Sequence, residues 1–136
     1  GATEVMFAAT QGILNPGDDV IVFEPAFDIY GAQAKMAGAK VVPVPLRVEG
    51  STNKMKWNFS IDEFRSKLTP KTRMIIINTP HNPTGKVFGK ETLEQIAEIV
   101  KEYPNVIVLM DEVYEHLVYD GNKHFHFASL PGMWDR

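Results

Sequence analysis

Cysteine is absent from the 136 residues. That excludes disulfides, thiolate metal sites and a cysteine nucleophile, and it suits a reducing compartment. Long apolar runs are absent too: nothing approaches the ~20 residues of a membrane helix. The start, Gly1-Ala2-Thr3-Glu4, has neither the charged nor the apolar region of a signal peptide. No large charge of one sign is present. Lys plus Arg is 14 and Asp plus Glu is 17, a net charge of −3, which argues against nucleic acid or an anionic membrane as the main partner. No G-x-G-x-x-G follows a strand-like run, which disfavours a nicotinamide dehydrogenase. There is no Walker sequence, and no Ser in a nucleophile elbow.

What is present suffices for a folded domain. Hydrophobic residues make up 44%, and a domain of this size buries roughly two-thirds of the surface its unfolded chain exposes. Met6, Ala9, Ile13 and Leu14 have helical spacing, ended by Asn15-Pro16-Gly17. Val20 to Phe23 is a continuous apolar run, as in a strand buried on both faces. Phe27 to Ala37 reads as a helix capped by Gly38, and Lys40 to Val44 as a strand. Pro45 to Asn58 is polar and reads as an irregular surface excursion. Ser60 and Glu63 form a capping box before Phe64 and Leu68. Met74 to Ile77 and Val106 to Met110 read as buried strands, and Leu93, Ile96, Ala97 and Val100 mark an amphipathic helix between them. The tail from Tyr119 to Arg136 has no clear period and is expected to be loop or a short hairpin. Regular alternation of helix and strand predicts an α/β fold, a three-layer αβα sandwich with a mostly parallel sheet and right-handed crossovers.

In such sheets ligands bind beyond the carboxyl ends of the strands. Asp111 directly follows Val106 to Met110, so its carboxylate sits at the mouth of a buried strand. There it serves either as a helix N-cap or ion-pair partner, or as the counter-charge of a bound cation. Asn78-Thr79-Pro80-His81-Asn82-Pro83-Thr84-Gly85 follows another strand, and its Asn and Pro residues make a stiff turn with amide side chains held in place. Tyr114 lies three residues after Asp111, one helical turn on, and reads as packing or as a second group on the same side. Ala2 and Thr3 open the first helix, where free amides and the helix dipole suit a phosphate, although a Thr N-cap explains them equally. Phe27 is either core or a platform for a flat ring. The four histidines, 81, 116, 124 and 126, show no metal-ligand grouping with a matching carboxylate; His124-x-His126 would bind a metal only if exposed, and reads instead as a packed or solvated pair.

Asn78-Thr79-Pro80-His81-Asn82-Pro83-Thr84-Gly85-Lys86 followed by Asp111-Glu112-Val113-Tyr114 resembles the fold-type I pyridoxal-phosphate aminotransferases. Glu24 to Tyr30, Gly85 to Phe88 and Ser129 to Arg136 resemble the kynurenine aminotransferase and cysteine-S-conjugate β-lyase group. The resemblance implies pyridoxal 5'-phosphate as cofactor. Asp111 would pair with its ring nitrogen. Tyr114 and Asn82 would reach the ring's phenolic oxygen, and Asn82 also the substrate carboxylate. Asn78 would support the loop, Phe27 would stack on the ring with Tyr30 nearby, and the Ala2 and Thr3 amides would hold the phosphate. The implied reaction moves an amino group from kynurenine or a related amino acid to a 2-oxo acid. A β-lyase or cyclopropane-forming synthase of the same fold, a non-catalytic cofactor-binding piece and a generic nucleotide-binding domain are the alternatives.

The family's cofactor-linking lysine and the arginine that binds the substrate α-carboxylate have no counterpart among these residues, so no catalytic residue is assigned here. Residues 1–136 are expected to be part of the large, cofactor-binding domain of a longer enzyme, inactive alone and self-associating through exposed sheet edges. A homodimer in the cytoplasm or a mitochondrion is implied for the parent.

Overall fold

The computed structural model describes residues 1–51 and 55–136. Helix α1 (Ala2–Ile13) leads into strand β1 (Asp19–Glu24), helix α2 (Ile29–Met36) and strand β2 (Lys40–Pro45). Short strands β3 (Arg47–Glu49) and β4 (Lys56–Asn58) follow, then α3 (Ile61–Lys67), β5 (Thr72–Asn78), α4 (Lys90–Lys101) and β6 (Ile107–Asp111). The main sheet has the order β2-β1-β5-β6, all parallel. No helix among the described residues is long and apolar enough to cross a membrane.

The sheet separates two cores because successive strand side chains point to opposite faces. Val20, Val22, Met74 and Ile76 pack against Met6 and Leu14 of the α1 segment and Tyr30 and Ala34 of α2. Ile21, Phe23, Ile75 and Ile77 face the other way, toward Phe64 of α3 and Leu93, Ile96 and Val100 of α4. The chain steps outward from β1 to β2, then returns past β1 to β5 and steps outward again to β6. Crossovers of one hand that travel in opposite directions must place α2 and α4 on opposite faces, as the two cores require. Phe23 anchors the second core, with the rings of Phe59 and Phe88 set edge-on at 4.8 and 5.2 Å.

Local chemistry explains the element ends. Gly38 adopts φ +75, and a Cβ there would lie 3.0 Å from the Pro16 ring, so only glycine closes α2 against that turn. Ser60 Oγ accepts from the Glu63 amide at 3.2 Å. The Glu63 carboxylate does not complete the box; it forms an ion pair with Arg47 instead. That pair ties α3 to the segment expected to be irregular between Pro45 and Asn58. Arg47–Glu49 and Lys56–Asn58 are in fact antiparallel strands, with Val48 opposite Trp57. Thr52, Asn53 and Lys54 of that stretch lie outside the described residues. The tail forms no hairpin. It makes a 3₁₀ turn at Phe127–Ser129, and the Arg136 carbonyl accepts from the Val108 amide at the outer edge of β6.

Candidate functional site

Three parallel strands end side by side, and their tips carry the polar groups. Asn78 and Asp111 are register partners at the ends of β5 and β6. Both are buried, at 3% and 7% exposure. The Asn78 side-chain amide donates to the Asp111 carbonyl at 2.9 Å, and its carbonyl accepts from the Asn82 amide at 2.6 Å. One carboxamide thus fixes both strand tips. The turn beyond is stiffened by the Thr79 hydroxyl, which accepts from the Phe88 amide at 3.0 Å, and by a 2.7 Å bond from the Gly85 amide to the His81 carbonyl. Gly85 reaches φ +71 there. Burial pushes the His81 imidazole below its usual range; its bond to the Phe23 backbone opposes the shift and the Lys86 charge adds to it.

Asp111 is the electrostatic focus. The Tyr30 hydroxyl donates to its Oδ2 at 2.7 Å, and the Val113 amide to its Oδ1 at 3.3 Å. Among the described residues no Lys, Arg or His nitrogen forms an ion pair with it. A buried carboxylate held by two neutral donors still favours a cation. Burial first, and the bond to Asp111 next, push the Tyr30 hydroxyl far above its usual range, so it remains a donor at any physiological pH. Sequence reasoning placed Tyr30 nearby but missed this bond, because the two residues are 81 positions apart.

Asp111, Asn78 and Asn82 line a cavity of about 220 Å³ together with Tyr114, Phe27 and the first residues of α1, Ala2 and Thr3. All seven residues singled out from the sequence therefore meet in one place. Met6, Tyr30 and Val113 complete the lining. Phe27 is 37% exposed, and its ring meets that of Tyr30 edge-on at 5.8 Å. At α1 the Gly1 carbonyl accepts from the amides of Glu4 and Val5. The amides of Ala2 and Thr3 precede the first intrahelical bond and remain free to bind an anion. Asp111 and Tyr114 are not related by a helical turn as expected: the chain past β6 runs through successive hydrogen-bonded turns, Glu115 to Glu112 and Leu117 to Tyr114. Roomier hollows lie elsewhere. One of about 520 Å³ is lined by Asp19, Lys40 and Lys71, at the amino ends of the strands, and lacks a comparable set of convergent groups.

Two further groupings were not legible beforehand. Lys86 Nζ donates to the Trp57 carbonyl at 2.9 Å and lies 5.2 Å from the Phe88 ring centroid, and burial lowers its pKa. His124 and His126, read from the sequence as lacking a carboxylate, share Glu112.

The arrangement can hold a flat, cationic heterocycle bearing an anionic tail. A carboxylate without a cationic partner among the described residues lines the recess at the strand end, Phe27 lines it too, and the first residues of α1, whose amides are free, border it. Pyridoxal phosphate has these features, and the residues present fit it.

Comparison with known proteins points the same way. The family model for aminotransferase class I and II matches residues 1–132. A kynurenine–oxoglutarate transaminase of Dictyostelium discoideum is 46% identical over 146 aligned positions, covering 100% of this chain and 34% of that protein. Kynurenine–oxoglutarate transaminase 3 of Bos taurus is 49% identical, covering 100% of this chain and 30% of that protein. The chain therefore spans about a third of the length of these relatives. Among solved structures, N-succinyldiaminopimelate aminotransferase from Mycobacterium tuberculosis superposes with a TM-score of 0.91 at 44% identity, over 98% of this chain and 33% of that one. An aromatic aminotransferase from Pyrococcus horikoshii gives 0.88 at 40%, over 98% and 34%.

Proposed function

Since the chain belongs to the class I and II aminotransferases, a pyridoxal-phosphate-dependent family, we propose that residues 1–136 form part of the large, cofactor-binding domain of a transaminase. Its substrates are kynurenine or a related amino acid and a 2-oxo acid, the reaction named for the relatives above. The observation that carries this reading is the buried Asp111 carboxylate, unpaired with any cation among the described residues and opening onto the cavity that also holds Asn82, Tyr114 and Phe27.

When bound, pyridoxal phosphate supplies an electron-withdrawing ring that takes up negative charge from the substrate α-carbon. The protein's part is to keep that capacity intact. Asp111 holds a proton at the ring nitrogen, because separating the charges in a buried site is costly. Tyr30 orients the carboxylate through Oδ2 and, as a neutral donor, does not compete for the cation. Asn78 fixes the tips of β5 and β6, which sets the spacing of Asn82 relative to Asp111. Tyr114 and Asn82 offer polar groups to the ring's phenolic oxygen, and Asn82 to the substrate carboxylate. Phe27 covers a ring face. The amides of Ala2 and Thr3 take the phosphate.

The proposal includes a homodimer. Val5 and Phe7 on α1, Met36 on α2 and Val113, Leu117 and Tyr119 beyond β6 are exposed apolar groups that a partner copy would cover. The cytoplasm or a mitochondrion is its proposed compartment, as the resemblance implies. The test is made on the full-length protein: pyridoxal-phosphate uptake by absorbance, and amino transfer from kynurenine to 2-oxoglutarate. Uptake with transfer is the expected result. No uptake, or binding of an adenine nucleotide in its place, overturns the reading.

A further inference from the structure

Beyond the tip of β6 the chain turns outward, and a second cluster forms there that the proposed reaction does not use. Glu112 follows Asp111 directly, yet it is absent from the cavity lining and faces the tail. Its Oε1 lies 3.1 Å from His124 Nε2, and its Oε2 lies 2.9 Å from His126 Nδ1. The donor atoms of the three residues all fall within 4.8 Å of one another, and no other such trio occurs among the described residues. We propose that Glu112, His124 and His126 form a binding site for a transition-metal dication of the Zn²⁺ class.

The geometry and the donor set support this in two ways. First, ligands bound at the usual Zn–N and Zn–O distances of a tetrahedral ion stand ~3.3 Å apart. Each imidazole already lies near that distance from a Glu112 oxygen, at 3.1 and 2.9 Å, so admitting the ion needs these contacts to open by a few tenths of an ångström and the wider separations, up to 4.8 Å, to close around it. Second, the donor set is two imidazoles and one carboxylate. Imidazole nitrogen selects Zn²⁺ and its neighbours over Mg²⁺ and Ca²⁺, which take oxygen ligands, and one carboxylate balances half the ionic charge. A metal-bound His is ordinarily oriented by an acceptor at its other ring nitrogen; here Glu115 Oε2 lies 3.8 Å from His126 Nε2, beyond hydrogen-bond reach, and His124 Nδ1 is buried without a partner.

The site is also partly organised before any ion arrives. The His124 side chain is only 9% exposed and that of Glu112 23%, so two of the three ligands are held by their surroundings. The His126 side chain is 55% exposed and leaves one side of the site open to solvent. The rings of His124 and His126 stand nearly perpendicular, 79° apart, with centroids at 4.8 Å, so their nitrogens converge on Glu112 from different directions. With three protein ligands, a fourth position falls to water. Bound there, the ion clips residues 124–126 to the residue that follows Asp111.

The test is a titration of the full-length protein with Zn²⁺ alone, followed by isothermal calorimetry, with thermal unfolding measured with and without Zn²⁺. The proposal expects one saturable site per chain and a rise in the unfolding midpoint with Zn²⁺. His126→Ala, whose side chain is exposed, and Glu112→Gln are each expected to weaken the affinity by at least ~10-fold, the scale that even outer-shell partners carry. Circular dichroism checks that each variant is folded; if Glu112→Gln is not, His126→Ala decides alone. Absence of saturable binding, or an affinity unchanged in a folded variant, overturns the proposal and leaves Glu112 as the acceptor of two hydrogen bonds.

Discussion

At the scale of single residues the central contrast is between Asp111 and its neighbours. Its charge is useful only when a cation is present. Asp111→Asn retains an acceptor for the Val113 amide and turns its NH2 toward the Tyr30 hydroxyl, which can accept as well as donate, but removes that charge. In the full-length enzyme the turnover number should fall by at least ~100-fold, the scale of a lost electrostatic contact in the transition state. The unfolding midpoint without cofactor should stay level or rise, because a buried charge has been removed. An unchanged turnover number measured in steady-state assays would remove Asp111 from its proposed role. His81 gives a pH prediction. Its folded-state pKa is lowered by burial, so the stability tied to its neutral form is complete above the unfolded value of about 6.5. That stability is lost as pH falls below this value toward the folded pKa. Urea midpoints measured from pH 7 to pH 5 should therefore decline, and His81→Gln should flatten the decline. Asp111 was legible because it directly follows an apolar run, and Asn82 and Phe27 because each lies two residues past a Pro at a strand end. The Tyr30 bond and the Glu112 pairings were not, because they join residues distant in sequence that only the assembled sheet brings together.

Among elements, α4 and α3 show how differently helices are held. Every residue of the predicted apolar stripe of α4, Leu93, Ile96, Ala97 and Val100, is buried, since a 3.6-residue period leaves one face for the core. Ile96→Ala should cost about 2–5 kcal/mol, the range for deleting a fully buried branched side chain. Ser60→Ala removes one cap bond of α3 and should cost about 1 kcal/mol. Chemical denaturation of the two variants, compared with the unsubstituted protein, checks the ordering; equal losses would contradict it. The strands of the main sheet were legible as apolar runs bounded by Gly, Pro and Asn. The β3–β4 pair was not, because Arg47, Glu49, Lys56 and Asn58 are polar and the pair lies largely exposed. Its stability comes from contacts such as Arg47 with Glu63 that a local reading cannot register.

For the molecule as a whole, alternation of helix and strand sufficed to predict a parallel three-layer sheet. It could not decide that β5 returns to the far side of β1, since each apolar run pairs equally well with either neighbour; with one crossover hand, that order follows only once α2 and α3 are seen to pack on opposite faces. The outer edge of β2 and the exposed apolar groups on α1 and beyond β6 set up the expectation of association. Light scattering across a dilution series of the full-length protein should give twice the protomer mass, and a monomer persisting at micromolar concentration would contradict it. The double attachment made by Asn78 has a mechanical corollary. It rivets the end of β5 to that of β6 and to the turn that follows, so prising the two strand tips apart would also loosen the turn that carries Asn82. Any give in the recess is then left to its solvent-facing wall, where Phe27 is 37% exposed, rather than to the frame behind it.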